Sequence, residues 1–273
     1  MNAWIERPSS NYDPRRDGCP IDILVLHYTG MRSAEDALER LCDPEAKVSA
    51  HYTIDRDGQV YRHVDESLRA RHAGVSYWAG ERDVNSRSIG IELVNPGHEF
   101  GYVPFPEAQI EALIELAHGI LERHPIPPCR VVGHSDVAPV RKMDPGELFP
   151  WEHLASNGIG MFPSLLHNTH HGRPESLPPG SERPRAERVI FRAAARLLDG
   201  RDTPGHGEMG GAFEEGLARF GYGVPPEVDV PLATVVAAFQ RHFRPAKIDG
   251  VVDAETETRL AALLELLKQE QSP

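Results

Sequence analysis

The sequence predicts an α/β fold, with a mixed central β-sheet flanked by helices, followed by a small all-α helical domain. Three observations predict it. Up to about residue 162, short apolar runs of strand character alternate with stretches of helical period. From 163 to 185 the chain is rich in proline (Pro163, Pro174, Pro178, Pro179, Pro184) and poor in aliphatic residues, the composition of a linker. Beyond it the pattern is helical only. The expected division is therefore a domain at 1–162, a linker at 163–185 and a helical domain at 186–273.

The elements follow in order. Residues 21–26, apolar except for Asp22, read as a buried strand, and 33–41 as a helix with Ser33 as N-cap and Asp36 three residues on. The runs 49–55 and 59–64 flank Arg56-Asp57-Gly58, a hairpin signal. Residues 88–94 give another strand. A helix at 106–124 places Ile110, Leu113, Ile114, Ala117, Ile120 and Leu121 on one face, and a last strand spans 130–132. In the C-terminal part, helices are expected at 186–198, 212–220 (ending at Gly221), 232–242 and 254–268. Their expected core is Phe213, Leu217, Phe220, Val236, Phe239, Ile248, Leu260 and Leu263.

Composition narrows the function. With 273 residues, 40% hydrophobic and 26% charged, the chain reads as a soluble globular protein. A net charge of −12 and the lack of a basic stripe argue against a nucleic-acid partner. No window reaches the ~18 apolar residues of an integral membrane segment. The N-terminus carries no apolar signal region, and three widely spaced cysteines (Cys19, Cys42, Cys129) suit a reducing compartment. A cytoplasmic location is expected, with a periplasmic one the alternative if Met1 is not the true start.

The chemistry concentrates in the loop Gly133-His134-Ser135-Asp136-Val137-Ala138-Pro139-Val140-Arg141-Lys142-Met143-Asp144. A loop at a strand end is where α/β proteins hold reactive groups on a rigid base. His27 leaves the 21–26 strand in the same manner. With His134 and Asp144 it offers three ligands, enough for a zinc site that keeps a fourth position open. Glu92 interrupts the apolar run Ile89-Gly90-Ile91-Glu92-Leu93. It is either a solvent-facing residue of a half-exposed strand or a base lining a cleft with its pKa raised by burial. Lys142, two residues before Asp144, is either a surface lysine or a cation poised over a developing oxyanion. His72 and Asn85 lie in expected loops, where they either hold substrate or cap turns. His51 reads as a satisfied core histidine, and His63, His98, His118 and His153 as structural. His167, His170 and His171 lie in the linker and read as no metal cluster.

These residues resemble those of the zinc-dependent N-acetylmuramoyl-L-alanine amidases of the phage-lysozyme and peptidoglycan-recognition-protein type, over residues 4–155. The likeness rests on Val25-Leu26-His27-Tyr28-Thr29, Ser49-Ala50-His51-Tyr52, His72-Ala73-Gly74, Asn85-Ser86-Arg87-Ser88-Ile89-Gly90-Ile91-Glu92, Gly133-His134-Ser135-Asp136 and Arg141-Lys142-Met143-Asp144-Pro145-Gly146. It implies Zn2+ on His27, His134 and Asp144, Glu92 as general base, Lys142 as oxyanion stabiliser, and His72 and Asn85 along the substrate groove. An acid at 144, in place of some relatives' cysteine, suits the bacterial branch. Arg71 stands where many relatives carry an aromatic.

The C-terminal part resembles the small helical peptidoglycan-binding domain. The matching residues are Leu217 to Tyr222, Val236-Ala237-Ala238-Phe239-Gln240 and Ile248-Asp249-Gly250-Val251-Val252-Asp253, with a departure from the pattern at 223–230. The implied partners are peptidoglycan fragments or muramyl peptides, cut at the amide joining N-acetylmuramic acid (or its 1,6-anhydro form) to L-Ala during wall turnover or recycling. Two alternatives stand beside this. A non-catalytic peptidoglycan-recognition protein typically lacks the third ligand, and a zinc peptidase would cut within the stem peptide.

Overall fold

The computed structural model describes residues 4–163 and 206–270, the side chains of 206–210 excepted. The helix expected at 186–198 and the histidines at 167, 170 and 171 lie outside the described residues.

A six-stranded sheet runs in the order β1-β5-β4-β7-β3-β8. Its strands are β1 (Ile5–Glu6), β3 (Ile23–Tyr28), β4 (Tyr52–Ile54), β5 (Val60–Arg62), β7 (Ser88–Leu93) and β8 (Val131–Gly133). The β4–β5 pair is antiparallel and the other neighbours are parallel, so the sheet is mixed as expected. Two short strands, β2 (Tyr12–Pro14) and β6 (Leu68–Ala70), make a separate antiparallel ribbon. At the predicted hairpin, Gly58 N–H donates to Asp55 O at 3.0 Å and Asp55 N–H to Gln59 O at 2.8 Å.

Nine helices are described: α1 (Ala34–Cys42), α2 (Val84–Arg87), α3 (Gly97–Phe100), α4 (Glu107–Arg123), α5 (His134–Val137), α6 (Trp151–Ser156), α7 (His206–Phe220), α8 (Leu232–Phe243) and α9 (Ala254–Glu270). Ser33 caps α1, its Oγ accepting from Asp36 N–H at 3.1 Å.

Period-two alternation sorts the sheet residues onto two faces. Leu24, Leu26, Ile89, Ile91 and Leu93 point to one side, where Leu113, Ala117 and Ile120 of α4 cover them. Ile23 and Val25 point to the other, where the core is shared with the C-terminal helices through Phe213, Leu217, Phe239 and Leu263. The expected C-terminal core is thus buried, save for a half-buried Ile248, and it is continuous with the sheet rather than separate. Trp78 is central to the junction, 4.9 Å from the Tyr222 ring and 6.1 Å from Phe220.

Within the C-terminal part the buried Gln240 builds the Asp-Gly turn. Its amide donates to Asp249 Oδ1 and Val251 O, and its Oε1 accepts from the backbone of Asp249 and Gly250. That motif is a folding device. Among the described residues no helix is long and apolar enough to cross a membrane.

Candidate active site

His27 is the fifth residue of β3, so it shares the face of Ile23 and Val25, opposite α4. Its register partner across the parallel β3–β7 ladder is Glu92. His134 opens α5, directly after β8 on the other side of β3. Asp144 arrives from the same loop, tied back where Ser135 N–H donates to Asp144 O at 2.9 Å. Backbone pairing alone brings four polar side chains to one end of three adjacent strands.

Three donor atoms converge there. His27 Nδ1 lies 2.9 Å from His134 Nδ1 and 3.0 Å from Asp144 Oδ2, and His134 Nδ1 lies 3.1 Å from the same oxygen. Two ring nitrogens and a carboxylate oxygen facing one point can share one proton at most. Such a donor set suits a cation. Ligands about 2.0 Å from a tetrahedral ion stand roughly 3.3 Å apart, close to this spacing. The residues fit a metal.

The outward nitrogens fix the tautomers. His134 Nε2 lies 3.0 Å from Ala73 O, which can only accept, so Nε2 carries the hydrogen and Nδ1 is free to ligate. For His27 the chain is longer: Nε2–H donates to His72 Nδ1 at 3.0 Å, and His72 Nε2–H to Ser88 Oγ at 3.1 Å. The Ser88 hydroxyl in turn donates to Val84 O at 2.7 Å. Burial, then the neighbouring His134, pushes the His27 pKa down to about 4. Burial works against the charge of Asp144, but the His134 and His27 rings against its carboxylate outweigh it and hold the carboxyl well below its usual range. Neutral imidazoles and a carboxylate are the ligand forms a divalent ion requires.

The site opens into a cleft of about 170 Å3 lined by Glu92, Lys142, Tyr28, Thr29, Arg40 and Arg71 beside His134 and Asp144. Glu92 Oε2 is buried without a hydrogen-bond partner among the described residues. Burial, and then the charge of Asp144, raise its pKa well above the ordinary carboxylate value, against the opposing pull of Lys142. Glu92 therefore lines the cleft with one carboxylate oxygen shielded from solvent. Lys142 lines the same cleft and is half-buried.

Of the two residues expected along the groove, His72 lines the cleft and Asn85 does not. His72 borders the cleft, yet both its ring nitrogens are engaged by His27 and Ser88. Asn85 is buried, and its Oδ1 accepts from the backbone N–H of His72 and of Ala73. It shapes the loop that carries His72, and it is not among the residues lining the cleft. Arg71 reaches the cleft but pairs with Asp13 at 2.8 Å. His51 is a satisfied core histidine, accepting from Gly90 N–H and donating to Leu68 O.

Residues 17–147 match the family described as N-acetylmuramoyl-L-alanine amidase. The N-acetylmuramoyl-L-alanine amidase AmiD of Escherichia coli (strain K12) is 36% identical over 283 residues, spanning 97% of this chain and 92% of the relative. The chain belongs to the N-acetylmuramoyl-L-alanine amidase family. A solved complex of E. coli AmiD with the substrate anhydro-N-acetylmuramic acid-L-Ala-D-gamma-Glu-L-Lys superposes on the amidase with a TM-score of 0.73. That pair shares 38% identity over 93% of each chain. The 1,6-anhydro-N-acetylmuramyl-L-alanine amidase AmpD of Haemophilus influenzae is 35% identical over 167 residues, covering 55% of this amidase and 89% of AmpD.

Sequence reasoning assigned no role to Asp136 or His242. Asp136 is buried, and His242 Nδ1 donates to its Oδ2 at 2.7 Å.

Proposed function

We propose that this amidase hydrolyses the amide between the lactyl group of N-acetylmuramic acid, in its ordinary or 1,6-anhydro form, and L-Ala of the peptidoglycan stem peptide, with Zn2+ on His27, His134 and Asp144. The observation that carries the reading is three converging donors beside a partnerless buried carboxylate oxygen in one cleft. The bound anhydro-muramyl peptide of the related AmiD supports the substrate class.

Zinc held there would supply Lewis acidity toward the scissile carbonyl and make nearby water more acidic. Glu92 takes the proton of the attacking water, and its raised proton affinity lets it keep that proton and pass it to the leaving amine. Lys142 donates to the oxyanion that develops on the carbonyl. His72 and Asn85 serve this chemistry by holding His27 and the adjoining loop. Arg40, exposed at the cleft, suits the carboxylates of a stem peptide.

The same reading assigns residues 1–162 to catalysis, 163–185 to a linker and 186–273 to a peptidoglycan-binding-like helical domain. AmpD, which covers little more than half of this chain, supports the first boundary. Free thiols at Cys19, Cys42 and Cys129 support a reducing, cytoplasmic location, and recovery of the native protein from the cell envelope would overturn that part.

Incubation with anhydro-muramyl tripeptide, followed by mass analysis, tests the reaction. Release of the intact tripeptide is expected, whereas fragments cut within the stem would reassign the enzyme as a peptidase. Parallel incubation with intact sacculi ranks polymer against soluble fragment, and preference for the polymer would argue against recycling.

A further inference from the structure

Asp136 has no part in the chemistry above, yet it lies in the single turn, α5, that carries His134. The residue is 1% exposed and its carboxylate accepts three hydrogen bonds. Oδ2 accepts from Gly133 N–H at 2.7 Å and from His242 Nδ1 at 2.7 Å, and Oδ1 accepts from the Tyr222 hydroxyl at 2.6 Å. Gly133 immediately precedes the ligand. One carboxylate thus grips the ligand turn from inside, while two of its three donors come from the C-terminal helical part.

Those donors are themselves held. The His242 ring lies between Trp151, stacked at 3.7 Å, and Phe243, stacked at 3.8 Å. Tyr222 packs against Trp78 and Phe239 in the shared core. We infer that Tyr222 and His242 are positioning residues of the metal centre, acting through Asp136 on the turn that presents His134. The C-terminal helices supply none of the three convergent donors, but they hold one in place.

The physical argument is desolvation. A buried carboxylate left with one backbone donor is costly, and charge-assisted bonds of this length are the strong ones. Without Tyr222 and His242 the turn must open to admit water to Asp136. Opening it moves His134, whose Nδ1 must stay near 3 Å from His27 and Asp144 to complete the ligand set. Adhesion between the two parts already comes from the apolar junction around Trp78. The triad adds direction.

The inference rests on the metal reading above. It is tested in the full-length protein by Tyr222→Phe and His242→Phe, singly and together, which keep the rings and remove the donors. His242→Asn keeps a donor close to the Nδ1 position. Zinc affinity is measured by competition with a chromophoric chelator, the Co2+ absorption spectrum reports geometry, and kcat, KM and Tm are recorded alongside. The double variant is expected to bind zinc about 10–100-fold more weakly, with an altered cobalt spectrum and a larger change in kcat than in KM. His242→Asn should recover most of the affinity lost in His242→Phe. Wild-type zinc affinity and cobalt spectrum in the double variant would overturn the inference, even with a lower Tm. If the double variant does not fold, Tyr222→Phe alone decides: about three- to ten-fold weaker zinc binding is expected, and unchanged binding overturns it. A wild-type protein that binds neither ion overturns the metal reading and this inference with it, an outcome distinct from variants that bind as wild type does.

Discussion

His27 and Glu92 occupy one rung of the parallel β3–β7 ladder, side by side on the face opposite α4. Backbone hydrogen bonds therefore set a candidate metal ligand against the candidate base before either side chain makes a contact. A one-residue slip would send one of them into the apolar layer. This rigidity shapes the first expectation.

Glu92→Gln should lower kcat by about 10²–10⁴ while leaving metal stoichiometry intact, because it removes the proton acceptor and little volume. Lys142→Met should lower kcat by about 10²–10³ through loss of the oxyanion donor, again with the metal retained. Turnover and metal content measured on the same preparations check both. A metal-depleted Glu92→Gln protein would make Glu92 a support of the ligand set and not a base.

Chelation should abolish activity, and stoichiometric zinc should restore it. With free zinc at about 1,000 times its Kd, the ion adds about 4 kcal/mol of stability, so the apo-protein should melt measurably lower. Asp144→Ala should erase that difference. Paired melting curves with and without zinc provide the check.

Gly90 is where the strand yields to a side chain. A Cβ there would meet His72 Cγ at 2.4 Å, so Gly90→Ala must displace the ring that accepts from His27 Nε2. The expected result is a loss of about 10–100-fold in metal affinity or activity, matched by His72→Ala. Wild-type values in Gly90→Ala would show that His72 does not orient the ligand.

Glu66 joins Tyr52 of β4 to Arg123 and His124 at the end of α4. Burial raises its pKa, but the bonds from Arg123, His124 and Tyr52 prevail and bring it from 4.5 down to about 2. A carboxyl depressed in the folded state stabilises the protein above its unfolded pKa and loses that contribution as pH falls toward the folded one. Glu66→Gln should thus cost about 1–3 kcal/mol at pH 7, with the gap to wild type closing between about pH 4.5 and 2. A gap of equal size at pH 7 and pH 3 would rule out the charge as its source.

Much of this was legible in the chain because it is local. The strands, the hairpin at Gly58 and the Ser33 cap follow from neighbours within a few residues, as does Glu92 as an acid inside an apolar run. What was not legible depends on distant pairing. The partnership of His27 with Glu92 needs the β3–β7 register, and the turn of His72 toward His27 needs the missing side chain of Gly90. Asn85 was placed along the groove because its loop was visible but its direction was not. Its carbonyl oxygen faces the backbone of His72 and Ala73, and only the folded loop reveals that. The clamp on Asp136 joins residues 86 and 106 positions apart, beyond the reach of any pattern.

The junction at Trp78 also bears on how such a protein can change over generations. Gly221 has φ +135, its carbonyl accepts from Ala79 N–H, and a Cβ on it would lie 2.7 Å from the Trp78 indole. A larger residue at 221 is tolerable only if position 78 shrinks with it, and a smaller residue at 78 leaves a void that 220 and 222 must fill. Residues 78 and 221, one in each part of the chain, therefore constrain each other's substitution. A foreign counterpart to either part would have to fit this glycine–indole contact.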